Sequence, residues 1–290
     1  MVEETSNTLI VKFPFDCNYP SRLRKTDSNI ILLMRIHRIM TLLKQWIGDQ
    51  SNLEKNAMIF VAFPGVGNVG KCAIDELLQS NEHHEVLRLH PVGLPPIAEL
   101  DAQGLLAPPH IKVHRVETPG NQVLYTLSGH SQPNQAIEQS MLARQILEFL
   151  KDSMIHQIFV FAGLMDEPER KEIFVVTTSI ESQKKMLEMG VHVRTDEPRS
   201  GAIGVSALIA SLAPVYGLES SCVISSTVGT SKDVMSSLRL LTSLNDWFGF
   251  DLNIPNEEIL NLRLRAKLGD SIGSETDYVK EMMTHDTSYM

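Results

Sequence analysis

From Met58 to Lys71 the chain reads MIFVAFPGVGNVGK. Six apolar residues in a row suit a strand buried on both faces, the kind that a parallel sheet places at its centre. Pro64 and Gly65 end the run. Gly65, Gly67 and Gly70 then follow at GxGxxG spacing, with Lys71 behind them. A buried strand that reverses at once into a helix is the opening move of an α/β unit. The glycines carry two readings. They hold a phosphate group against a helix N-terminus, or they only let the turn be tight and the helix lie close to the strand. A dinucleotide loop also calls for an acidic residue at the end of the next strand, and Glu85 stands at the start of that strand instead. A P-loop would need four residues between its glycines and Ser or Thr after the lysine. Cys72 occupies that place. The steric reading leads, with Gly65, Gly67, Asn68 and Gly70 kept as lining for a ligand pocket.

The alternation continues downstream. Strands are expected over HEVLRLH, HIKVHRVE, QVLYTLSG, HQIFVFAGL, EIFVVTTS and SCVISSTVG. Helices are expected over GNVGKCAIDELLQS, PNQAIEQSMLARQILEFLKDS, IESQKKMLEMG, GAIGVSALIASLAPVYG and SKDVMSSLRLLTSLNDWFG. Pro133 opens the second of these helices and Gly190 closes the third. Buried strands alternating with helices indicate a mixed, largely parallel sheet covered on both faces, here over residues 57–255. Residues 1–56 read as an N-terminal appendage, with an edge strand at TLIVKF and a helix from a cap at Asn29 to about Ile47, ended by Gly48. Residues 256–290 hold a short helix, NEEILNLRLRAKLG, and a polar tail.

Other residues offer chemistry of lower specificity. His110 and His114 share one face of their strand, but spacing supplies no third metal ligand. His130, in SGHSQPN, follows a strand and is the lone histidine best placed for a pocket. The acidic run DEPERKE, 166–172, could hold a general acid and base, or be a solvated turn with its own counter-charges. STVGTSKD, 226–233, could cradle a phosphate with Thr230 and Ser231. It equally suits an ordinary helix start, with Ser231 as cap and Asp233 in the first turn. No nucleophile, base and orienting group can be assembled from spacing. No cofactor or metal is implied.

Charge and cysteine usage narrow the class. The 290 residues carry a net charge of −9 and no basic cluster beyond SRLRK, which disfavours a nucleic-acid partner. Cys17, Cys72 and Cys222 form neither a CxxC nor a disulfide framework and suit a reducing cytoplasm. The opening MVEETSNTLIVKF lacks the basic-then-apolar order of a secretory signal. The apolar stretch 30–47 contains Arg35, Arg38 and Lys44, which argues against a membrane span.

Taken in order, FVAFPGVGNVGK, LPP, LYTLSGHSQPN, QIFVFAGL, GAIGVSALIA and CVISSTVGTSKD resemble the proteasome assembly chaperone family, in its second-subunit type and archaeal relatives. The resemblance spans roughly residues 55–255. It implies a three-layer α/β/α fold of the nucleoside-phosphorylase-like kind, no catalysis, homo-oligomers, and the α subunits of the 20S proteasome core as partner. Some members end in a hydrophobic residue, tyrosine and any residue. That tail inserts between α subunits and its carboxylate meets a lysine. Here the end is Ser288-Tyr289-Met290. Tyr289 and Met290 match the motif, and Ser288 stands where it asks for a hydrophobic residue. The competing expectation is a phosphorylase- or hydrolase-like enzyme, acting on a small phosphorylated or nucleoside ligand at the glycine turn.

Overall fold

The computed structural model describes residues 2–5, 8–11, 42–49, 51–101, 104–119, 122–199, 201–229 and 232–256. The chain divides between Leu43 and Lys44 into two compact units. In the first, β1 (Val2–Thr5) and β2 (Thr8–Val11) form an antiparallel pair in which Val2 faces Val11 and Thr5 faces Thr8. The expected strand at TLIVKF is therefore half of a small hairpin. Most of the helix expected from Asn29 lies outside the described residues. Its last turn is corrected: Leu43–Trp46 is a strand, β3. The second unit begins at Lys44, ahead of the boundary expected at 57.

The second unit is built on an eight-stranded sheet. Its strands are β3, β4 (Met58–Ala62), β5 (His83–His90), β8 (Ile111–Val116), β9 (Leu124–Gly129), β10 (Gln157–Met165), β11 (Ile173–Thr177) and β12 (Glu219–Thr227). Their order is β11-β12-β10-β4-β9-β8-β5-β3. The four central strands, β12, β10, β4 and β9, are parallel, and antiparallel strands flank them. A separate short hairpin, β6 (Glu99–Leu100) with β7 (Leu106–Ala107), occupies the Pro-rich connection. β3 joins as the outermost strand beside β5. The Ile47 N–H reaches the Val86 carbonyl at 2.9 Å. A sheet edge offers unpaired backbone groups, and a short segment that satisfies them gains more than an isolated helical turn would.

Among the described residues five α-helices cover the sheet: α1 (Val69–Ser80), α2 (Ala136–Asp152), α3 (Ile180–Glu188), α4 (Val205–Leu212) and α5 (Val234–Phe248). Side chains alternate across each strand. Phe60, Phe159, Phe161 and Val223 thus meet Ala73, Ile74 and Leu77 of α1 and Leu240, Leu241 and Leu244 of α5 in one core cluster. The rings of Phe60 and Phe161 lie 4.9 Å apart. On β12 the two neighbours Ser220 and Ser221 mark the two faces. Ser221 points at Met186 of α3, whereas Ser220 donates to the Ala210 carbonyl of α4 at 2.7 Å. α4 packs beside α2 on that second face. Helices on both faces of a mixed sheet make this a three-layer α/β/α unit. α2 begins at Ala136 rather than at Pro133, since Gln135 is still extended. Among the described residues, no helix is long and apolar enough to cross a membrane.

Candidate functional site

The parallel strands β4 and β10 end side by side, which is where open α/β sheets hold their ligands. The turn after β4 decides what the place can do. Val66–Asn68 form a single 3₁₀ turn, in which Gly67 has φ +60° and Asn68 φ +50° before α1 starts. Glycine takes this left-handed region freely, and asparagine is among the few other residues that tolerate it. Gly67 also leaves no room for a side chain, because a Cβ would lie 2.7 Å from the Thr227 hydroxyl oxygen. At Gly70 a Cβ would lie 2.4 Å from the Phe161 carbonyl oxygen, and at Gly163 one would lie 2.3 Å from that of Val66. Gly65 meets nothing nearer than 3.9 Å. Two of the three glycines of the motif thus serve close approach of the turn and α1 to β10 and β12.

At the turn after β12 the Asp233 side chain finds its partners within the chain. The Asp233 carboxylate accepts from the Thr227 hydroxyl at 2.7 Å, the Ser236 hydroxyl at 2.6 Å and the Ser236 N–H at 2.9 Å. The Asp233 N–H donates to the Gly67 carbonyl at 2.8 Å. Burial pushes the Asp233 carboxyl up, but the hydrogen bonds from Ser236 and Thr227 together outweigh it and hold the group below the usual carboxylate range. Asp233, not Ser231, caps α5. A carboxylate already fills the N-terminus where a phosphate would have to sit, and it would repel one. Thr230 and Ser231 lie outside the described residues.

Between the β4 turn, the end of β10 and the start of α4 lies a hollow of about 300 Å³. Gly65 and Gly70 line it, with Leu164, Met165, Ile203 and Cys222, and none of its described lining residues is charged. Gln132 holds two of its walls together. Its amide donates to the Pro64 carbonyl at 2.9 Å and accepts from the Val205 N–H at 3.1 Å. The Ser206 hydroxyl accepts from the Phe63 N–H at 3.2 Å. Reading the sequence missed Gln132 and Ser206. The one available signal was a polar residue directly after a buried strand, in SGHSQPN. Burial pushes the Cys222 thiol up to about 12, so it is a packed apolar group rather than a nucleophile.

The remaining candidates fall elsewhere. Gly67 and Asn68 lie in the turn but do not line the hollow. The His130 ring is exposed, 4.0 Å from Glu99, and also outside it. His114, on β8, faces Glu85 of β5 and is half-buried rather than on an open solvent face, and its pKa follows from that. Burial, only partly offset by Glu85, brings it down to about 4. Among the described residues, no three His, Cys, Asp or Glu side chains converge to hold a metal ion. In the acidic loop, Arg170 binds Asp166 and Glu172, and Arg194 binds Glu172 at 2.9 Å and Asp196 at 2.8 Å. That is the self-neutralised turn and not an acid and base pair. Ser288, Tyr289 and Met290 lie outside the described residues.

Comparison with known proteins gives this arrangement a context. A model of the PAC2 family matches residues 59–262. The uncharacterized protein MJ1210 of Methanocaldococcus jannaschii is 22% identical over 206 residues, 70% of this chain and 78% of that protein. Among solved structures, Pyrococcus furiosus PbaA, an archaeal homolog of proteasome-assembly chaperone, superposes with a TM-score of 0.64 at 19% identity. The match covers 85% of this chain and 99% of PbaA. P. furiosus PbaB, an archaeal proteasome activator, gives a TM-score of 0.65 at 18% identity over 81% and 98% of the two chains. At these identities the structural likeness shows a shared fold.

Proposed function

The chain belongs to the PAC2 family, and from that premise we propose that it is a non-catalytic chaperone or adaptor that binds the α subunits of the 20S proteasome core. The observation that carries the reading is the family match over residues 59–262, on a fold shared with a proteasome-assembly chaperone homolog and a proteasome activator. The chemistry of the sheet's carboxyl end supports the non-catalytic part. The glycine turn is spent on close contacts, the Asp233 carboxylate blocks the adjacent helix start, and the hollow is uncharged. A phosphorylase or hydrolase would need titratable groups converging there. In this reading the protein acts in the cytoplasm as a homo-oligomer. Tyr289 and the Met290 carboxylate supply part of the contact, the phenol giving rigid area and the carboxylate pairing with a cation.

A pull-down of purified 20S core and of free α subunits tests this, using the full chain and a chain without Ser288 to Met290. Capture by the full chain and loss with the shortened one is the expected result. Equal capture by both removes the tail's role and keeps the chaperone reading. Capture by neither overturns it.

A further inference from the structure

The hollow beside the glycine turn has the make-up of a small-molecule site. It is concave, holds about 300 Å³ and lies at the carboxyl ends of parallel strands, the preferred place for ligands in such sheets. Its floor and walls are apolar, from Leu164, Val205, Cys222 and Ile224, with the exposed side chains of Met165 and Ile203 at its rim. Its polar side chains, Gln132 and Ser206, meet at one end, at the start of α4. The first N–H of α4 with an acceptor in the helix or its cap is that of Leu208, which donates to the carbonyl of the cap residue Gly204 at 3.1 Å. Val205 donates to Gln132 instead. The N–H groups of Ser206 and Ala207 belong to the same first turn, where no intrahelical acceptor exists, and both residues line the hollow. The Ser206 hydroxyl oxygen already accepts from Phe63, so its hydrogen is left to donate. The first-turn donors of α4 thus stand at one end of the hollow, while the side chains of Leu164, Met165, Ile203, Val205, Cys222 and Ile224 offer a ligand only carbon and sulfur. A charged ligand would lose its hydration with no counter-ion among the lining residues, at high cost.

We propose that this hollow binds a small neutral molecule with an apolar body and a single carbonyl-type acceptor, the acceptor lying at the start of α4 against Ser206 and Ala207. The site is independent of proteasome binding and goes beyond it.

The test uses the full-length protein with ¹³C-labelled methyl groups and three matched probes. Cyclohexanone has the body and the acceptor, methylenecyclohexane has the body alone, and cyclohexanecarboxylate adds a charge. Cyclohexanone is expected to shift the methyl signals of Met165, Ile203 and Val205 saturably, leaving Leu238 and Leu241 on the other face of the sheet unmoved. The other two probes should bind more weakly, by roughly fivefold or more, as one neutral hydrogen bond or one unpaired charge implies. Ser206→Ala should weaken cyclohexanone by roughly fivefold. Ala207→Leu should fill the hollow and abolish the shifts. Ala202→Leu, at an exposed position of the rim, is a second obstruction should the first disturb folding. Shifts that fail to saturate, that map outside the hollow, or that survive both obstructions overturn the proposal. Tightest binding by cyclohexanecarboxylate also overturns it, in favour of an anion site.

Discussion

Replacing Gly70 by alanine separates the two readings of the glycine turn. The new Cβ would lie 2.4 Å from the Phe161 carbonyl oxygen, 2.9 Å from its carbon and 3.1 Å from the Ala62 Cβ. Non-bonded atoms of this kind do not approach closer than about 3.0 Å, so α1 and β10 must part by roughly 0.6 Å. The obstacle is backbone in a central strand and has no rotamer through which to escape. Overpacking of this type costs about 1–3 kcal/mol, and a rigid obstacle puts it near 3. Alanine's better helix preference returns up to about 1 kcal/mol, leaving a net loss of about 2 kcal/mol. For a domain of this size that lowers Tm by roughly 4–8 °C. Gly65→Ala is the matched control. Its φ of −163° is ordinary extended backbone and its nearest neighbour is 3.9 Å away, so the change should stay within about 0.5 kcal/mol. Urea unfolding followed by circular dichroism measures both. A Gly70→Ala protein as stable as the parent, or a Gly65→Ala protein equally weakened, would refute the steric assignment.

Three further outcomes rest on the same geometry. Gln132→Met should remove the links to Pro64 and Val205 and cost roughly 2 kcal/mol, at about one per neutral hydrogen bond, with an unchanged denaturant slope. His114 is held near 4 in the folded protein against about 6.5 when unfolded. The unfolded chain therefore binds the proton more readily, and stability present above pH 6.5 is lost as pH falls towards 4. His114→Gln, which keeps Glu85, His83, Lys112 and Lys71 around the site, should flatten that decline by at most about 3 kcal/mol across pH 6.5 to 4. Cys222, with its thiol near 12, should resist a disulfide reagent at pH 8 in the native protein and react at once in urea. Fast native labelling at Cys222, read by peptide mass mapping, would contradict its assignment as an apolar group.

How far the sequence spoke depends on the range of the interactions involved. β4 and β10 were legible because each is a long apolar run that only a strand buried on both faces explains, and β12 showed only the shorter run Cys222-Val223-Ile224 between serines. Gly70's role was legible for the same reason, as a glycine placed one turn after such a strand. β3 was not. Apolar residues at helical spacing from Ile30 to Ile47 pointed to a helix, and the decision at Leu43–Trp46 came from backbone bonds to β5, some forty residues on. At α2, Pro133 suggested a start three residues too early, since Gln139 reaches back to the Pro133 carbonyl while the chain there is still extended. The hollow was invisible for a further reason. Its walls come from residues near 64, 164 and 204, and no local pattern brings these together. The Asp233 network was half visible: the capping residues were there to read, but not that the carboxylate would be spent on Thr227 and Ser236.

Gln132 also sets an order of events. Its two hydrogen bonds span 68 and 73 residues of sequence, and the pair is complete only when β4, β9 and α4 have each found their places. Contacts of such separation are closed late, after the entropy of the intervening loops has been lost. The Val205 amide proton is therefore a reporter of completed assembly. Its exchange with solvent should be slow only once the whole carboxyl end of the sheet is in place, and a faster rate there than in β10 would mark this end as the first part of the molecule to open.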